Sequence, residues 1–111
     1  MNRYLILVQN VILRVLIKMA EVIITLKIMP TNPEINLDNL ELKAKEKIKE
    51  FIREDSTMKV SVEPIAFGLK AVNIIFVMDE AIGSPDPLAE DIEKFEDVTS
   101  AEITDVRRAL G

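Results

Sequence analysis

The chain of 111 residues has no cysteine and no histidine. A histidine general base, a Ser-His-Asp triad, a cysteine nucleophile, a thiolate zinc site and a disulfide framework are excluded by that count alone. Its three glycines stand at 68, 83 and 111, which cannot spell the glycine-rich loops that cradle phosphates in dinucleotide and Walker-type sites. The apolar stretch Tyr4 to Ile17 is broken by Gln9, Asn10 and Arg14 and is too short to span a bilayer. Positive charge is in the minority. Fourteen Lys and Arg against nineteen Asp and Glu give a net charge of −5, which argues against a phosphate backbone as the main partner. These absences point to a chain that is not an enzyme, carries no cofactor or metal, binds neither nucleic acid nor membrane directly, and folds unaided in a reducing, cytoplasmic setting.

A chain of this length makes one domain, with a core covering roughly 60 to 65% of its unfolded surface. The acids are unevenly spread. Residues 1–18 hold Arg3, Arg14 and Lys18 and no acid, leaving eleven basic against nineteen acidic residues downstream, a net of −8. We read 1–18 as an apolar N-terminal extension, best explained by a misassigned start with Met19 as the true first residue, and 19–111 as the domain proper. A signal peptide fits poorly, because Arg14 interrupts the apolar region and Ala20 is the only small residue at a plausible cleavage point.

From Ala20 to Ile28, Val22, Ile24, Leu26 and Ile28 recur at every second position and predict a strand with one strongly apolar face. Pro30 and Pro33 predict its end. Leu37, Leu40, Ala44, Ile48, Phe51 and Ile52 then recur at helical spacing behind Asn36 as N-cap, with a lysine- and glutamate-rich solvated face opposite. Met58, Val60 and Val62 predict a second strand reaching Pro64 and Ile65. Leu69 to Met78 predict a third, apolar on both sides near its end and therefore central in the sheet. Asp79 to Gly83 break that pattern. Ser84-Pro85-Asp86 reads as a helix start with Ser84 as cap, Leu88, Ile92 and Phe95 forming the buried stripe. A last strand from Val98 or Thr99 to Val106 carries Ala101 and Ile103, with Arg107-Arg108 following it. The order β-α-β-β-α-β predicts an α+β, ferredoxin-like sandwich: a four-stranded antiparallel sheet with both helices on one face.

Within that frame, Phe67-Gly68 falls on a tight connection between two strands. An aromatic at a turn tip has no core position waiting, so it either folds back over Pro64 and the outer sheet or is offered to a partner. Arg107-Arg108 reads as a solvated basic pair or an edge cap. The carboxylate pairs Asp79-Glu80 and Glu90-Asp91 lack calcium-loop spacing and read as turn and helix-surface solvation. Asn73 would suit the phosphate cradle of ferredoxin-like acylphosphatases, but the loop from Pro30 to Asn36 has neither the arginine nor a glycine to complete it.

Three segments then match one family in order: Met19 to Pro30 (MAEVIITLKIMP), Glu63 to Ala71 (EPIAFGLKA) and Thr104 to Arg108 (TDVRR). Together they resemble archaeal translation elongation factor 1-beta over Met19 to Leu110. The resemblance implies a guanine-nucleotide exchange factor that releases GDP from elongation factor 1-alpha, in its GDP-bound and nucleotide-free forms, during protein synthesis. In eukaryotic relatives a turn aromatic contacts the GTPase and a lysine near the C-terminus reaches toward its magnesium and phosphate site. Carried over, Phe67, Gly68 and Lys70 at the turn and Arg107 and Arg108 at the last strand become the partner-binding residues, Phe67 the aromatic contact and Arg108 the reaching cation. Ala66 stands in place of that turn's first glycine, and an arginine in place of the lysine. A ferredoxin-like regulatory module that dimerises and binds a small molecule is the competing reading. An RNA-recognition module fares worse, with Phe76 the only aromatic on the central strands and a negative net charge.

Overall fold

The computed structural model describes residues 21–53 and 56–109. The extension 1–18, its boundary with the domain, and the Met19 start lie outside the described residues.

Strand β1 (Glu21–Pro30) alternates strictly between buried and half-buried residues, because every second side chain of a pleated strand points to the same face. It is longer than its prolines suggested. Pro30 needs no ladder donor at the last strand position, and Thr31 N–H carries on by donating to the Asp97 carbonyl at 3.0 Å. Helix α1 (Leu37–Ile52) starts where Asn36 Oδ1 accepts from the Asp38 and Asn39 amides at 3.0 and 3.2 Å, a cap worth about 1 kcal/mol. It ends on Arg53, a non-glycine residue in the left-handed region at φ 60°, whose amide donates to the Lys49 carbonyl. Strand β2 (Lys59–Pro64) is largely exposed.

Strand β3 (Lys70–Asp79) follows a three-residue turn, Ala66–Gly68. A second short turn, Glu80–Ile82, leads to helix α2 (Asp86–Glu93). That helix begins one residue later than expected: Pro85 takes the cap position, while Ser84 Oγ still accepts from the Asp86 amide at 3.2 Å. Strand β4 (Val98–Arg108) closes the order. It too is longer than expected, since Arg107 and Arg108 lie within it and pair with Ile23 and Val22.

The strands form one antiparallel sheet in the order β2-β3-β1-β4, which makes β3 and β1 the central pair, as read from β3's two apolar faces. Val22, Ile24, Leu26 and Ile28 of β1 share one core cluster with Val72, Ile74, Phe76 and Met78 of β3, Leu40, Ala44, Ile48 and Ile52 of α1, and Leu88, Ala89 and Ile92 of α2. Only one parity of each central strand enters it, so both helices pack on one face and the arrangement is ferredoxin-like. Each full aliphatic truncation in such a core costs about 2–5 kcal/mol.

The pairing of β4 with β1 slips twice. Thr25 faces Asp105 while Leu26 faces Ile103, leaving Thr104 over, and a second irregularity leaves Thr99 over between the Met29–Ser100 and Pro30–Val98 pairs. An extra residue in one strand reverses the face on which all later side chains emerge. Because of Thr104, Arg108 emerges on the helix side in one row with Val22 and Met78, and Arg107 on the outer face with Ile23 and Val77.

Candidate functional site

The β2–β3 turn is built by the chain itself. Ile65 N–H donates to the Leu69 carbonyl at 2.7 Å and Leu69 N–H to the Ala66 carbonyl at 3.4 Å. Between them Phe67 and Gly68 both take positive φ, 64° and 77°, the hand that matches the twist of adjoining strands. Glycine adopts it freely. A phenylalanine pays about 1–2 kcal/mol for the clash of its Cβ with the neighbouring carbonyl. Its ring gains nothing back within the molecule, for Phe67 is 95% exposed. The alternative in which the ring folds over Pro64 or the sheet is therefore not what the structure adopts. Lys70 opens β3, exposed, and the loop after β1 flanks the turn: a Cβ on Gly68 would lie 3.9 Å from Pro33 Cγ.

Arg107 and Arg108 lie at the other end. Arg108 pairs with Val22, which on its other side pairs with Met78 near the end of β3. Nine residue steps run from Leu69 at the foot of the Phe67 turn to Met78 in that row, about 30 Å at 3.3 Å per residue. The five residues singled out from sequence thus form two poles. The arginines also part company across the sheet. Arg107 Nε donates to Asp105 Oδ2 at 2.8 Å on its own strand. Arg108 Nη2 donates to Glu80 Oε1 at 3.0 Å, in the short turn after β3. From sequence Glu80 reads only as turn solvation. Its meeting with Arg108 depends on two ladders in register through Val22, which no local pattern reveals.

The same short turn borders a cleft of about 580 Å³ lined by Glu50, Phe51, Arg53, Ala81 and Ile82. Asp79 is used locally, its Oδ1 accepting from Ala81 N–H at 2.9 Å, and Asp91 pairs with Lys94 at 3.7 Å. Asn73 is engaged on the outer sheet face, donating to Glu63 Oε1 at 3.2 Å, while Lys27 Nζ meets Glu63 Oε2 at 3.2 Å. Those two contacts, Lys27 first and Asn73 second, hold the Glu63 carboxyl below its ordinary value of 4.5. Among the described residues no three acids cluster to hold a metal, and no helix is long and apolar enough to cross a membrane.

The α+β sheet thus carries one strained, exposed aromatic at one pole and an exposed arginine at the other. The family follows from comparison with known proteins. Residues 23–109 match the model described as the EF-1 guanine nucleotide exchange domain, and this chain belongs to that family. It is 41% identical over 92 residues to the elongation factor 1-beta of Methanosphaera stadtmanae, a match covering 83% of this chain and all of the relative. The proteins of the same name from Methanobrevibacter smithii and Methanothermobacter thermautotrophicus are 40% and 39% identical over 92 and 93 residues, again 83% of this chain and the whole of each relative.

Proposed function

We propose that this protein accelerates GDP release from elongation factor 1-alpha by touching the GTPase at both poles. The observation that carries the reading is Phe67: a bulky apolar ring held in a costly backbone conformation and left in water serves nothing inside the chain. A partner pocket that buries it recovers the cost. The family match supports the nature of that partner.

Bound GDP is held largely by phosphate-loop amides and Mg²⁺. At one pole the Phe67 ring, with Gly68 and Lys70 around it, anchors the complex. At the other, a cation supplied by Arg108 competes with the metal for the same anionic groups. Nucleotide binding is then weakened more than protein binding, and by linkage nucleotide weakens the exchange factor equally. No bond is made or broken, so no catalytic residue is needed, and the choice of GTP over GDP falls to their cellular concentrations. The partner is bound in its GDP and nucleotide-free states in the cytoplasm, without contact to nucleic acid or membrane.

The test is release of fluorescent GDP from elongation factor 1-alpha with and without this protein. Strong acceleration is expected, reduced about tenfold or more by Phe67→Ala and by Arg108→Ala, as for anchors at the centre of an interface. Acceleration indifferent to Arg108 would retain the function and move the metal-competing role elsewhere. A folded chain that leaves GDP release unchanged would sink the proposal and bring the dimeric regulatory module forward.

A further inference from the structure

We infer that Glu80 is a positioning residue for Arg108, holding one edge of its guanidinium so that the remaining N–H donors are presented to the anionic groups of the partner's nucleotide site. The inference rests on the exchange-factor reading above and deepens it.

Three observations carry it. First, the Thr104 bulge puts Arg108, and not Arg107, on the side of the sheet where β3 runs on into the Glu80–Ile82 turn. Second, the backbone carrying Glu80 is itself fixed: Asp79 Oδ1 accepts from Ala81 N–H at 2.9 Å and the Gly83 amide donates to the Glu80 carbonyl at 3.1 Å. The carboxylate is therefore delivered from a pinned turn and not from a wandering loop. Third, Glu80 engages only the Nη2 atom, at 3.0 Å, and the Arg108 side chain remains 76% exposed.

A guanidinium is a planar fork with five donors, able to serve two anions along different edges at once. Arg108 can keep Glu80 on one edge while the other meets a phosphate or a carboxylate of the GTPase. A side chain already restrained in this way loses less rotamer freedom on docking. A lysine has no edges to divide: the single nitrogen drawn to Glu80 is the nitrogen it would have to offer. An arginine at 108 and an acid at 80 thus suit each other, and the departure from the eukaryotic lysine acquires a physical sense. Arg107 is likewise held by a carboxylate, its Nε donating to Asp105 Oδ2 at 2.8 Å, but it lies on the outer face of the sheet, away from the side that carries Arg108.

The experiment is a double-mutant cycle in the GDP-release assay, with the full chain as wild type, Glu80→Gln, Arg108→Ala and the double variant, each titrated against GDP-loaded elongation factor 1-alpha. Folding of every variant is checked by thermal melting. Glu80→Gln is expected to lower exchange efficiency about two- to fivefold, the range for an exposed pair, mainly by raising the half-saturating concentration with little change in the maximal rate. In the Arg108→Ala background the same substitution is expected to change nothing, which a general structural role for Glu80 would not produce. Arg108→Lys should fall between wild type and Arg108→Ala. An equal loss in both backgrounds, no loss in either, or faster exchange by Glu80→Gln would each overturn the positioning role; the last would mean that Glu80 competes with the partner for Arg108. Failure of the unsubstituted chain to accelerate GDP release would instead overturn the exchange reading, and this inference with it.

Discussion

Phe67 concentrates the tension between stability and use. Its left-handed backbone is imposed by the hairpin and its ring is left in water, so the residue best for folding at this position is glycine. Phe67→Gly is accordingly expected to raise stability by about 1 kcal/mol in urea unfolding while losing at least as much exchange activity as Phe67→Ala. Opposite movement of the two quantities in one variant would mark the phenylalanine as kept for binding; a loss of both would show that the ring supports the fold. The sequence made half of this legible. A bulky aromatic beside the sole glycine between two strands announces a turn with Phe67 at its tip, while the choice between folding back over Pro64 and pointing into water is open until the structure shows the ring exposed. The sign of φ was not legible, because Gly68 alone could have absorbed the turn's positive φ. Glu80 was less legible still, since its partner is 28 positions away and reached through two strand registers.

Among the elements, the periodic ones were read nearly to the residue. The buried stripe of α1 and the alternation of β1 and β3 follow from spacing, because the core accepts only one parity or one helical face. The edges were read less well. Apolar alternation predicts the end of β4 at Val106, yet strand pairing runs on through Arg108 and Ala109 N–H donates to the Glu21 carbonyl at 2.9 Å. A bulge disrupts the alternation without interrupting the hydrogen bonds, and polar edge residues carry no signal of their own. On the outer face the sheet is tied by Glu63 of β2 reaching Lys27 of β1 across Asn73 of β3. With the folded carboxyl held below its ordinary value, its contribution to stability is present above the unfolded value near 4.5 and is lost as pH falls through the folded one. Glu63→Gln is expected to melt below wild type at pH 7, with the gap narrowing as pH falls below 4.5 and closing once the folded carboxyl is protonated. A gap that persists in acid would assign the loss to packing.

For the molecule as a whole, what matters is the distance between its two poles. The Phe67 turn and Arg108 are held about 30 Å apart by strands whose length is fixed by hydrogen bonding. Groups so far apart that contact no residue in common contribute independently. Phe67→Ala and Arg108→Ala are therefore expected to combine multiplicatively in exchange efficiency, the double variant falling within about a factor of two of the product. A double variant no worse than the poorer single one would mean that the two residues act through one contact, contrary to the two-pole arrangement.

The place of β1 in the sheet bears on how the protein is made. It lies between β3 and β4, so one flank is completed only by residues 98–108, the last of the described strands to be synthesised. Pairings between residues so distant in sequence close late and slowly, since the entropy of joining them must be met before any contact rewards it. The Phe67 hairpin, by contrast, closes locally. A growing chain therefore has its aromatic turn before its arginine pole. Until β4 arrives, the free flank of β1 is an open sheet edge through the apolar run Val22 to Leu26, the kind of surface that seeds association between unfinished chains.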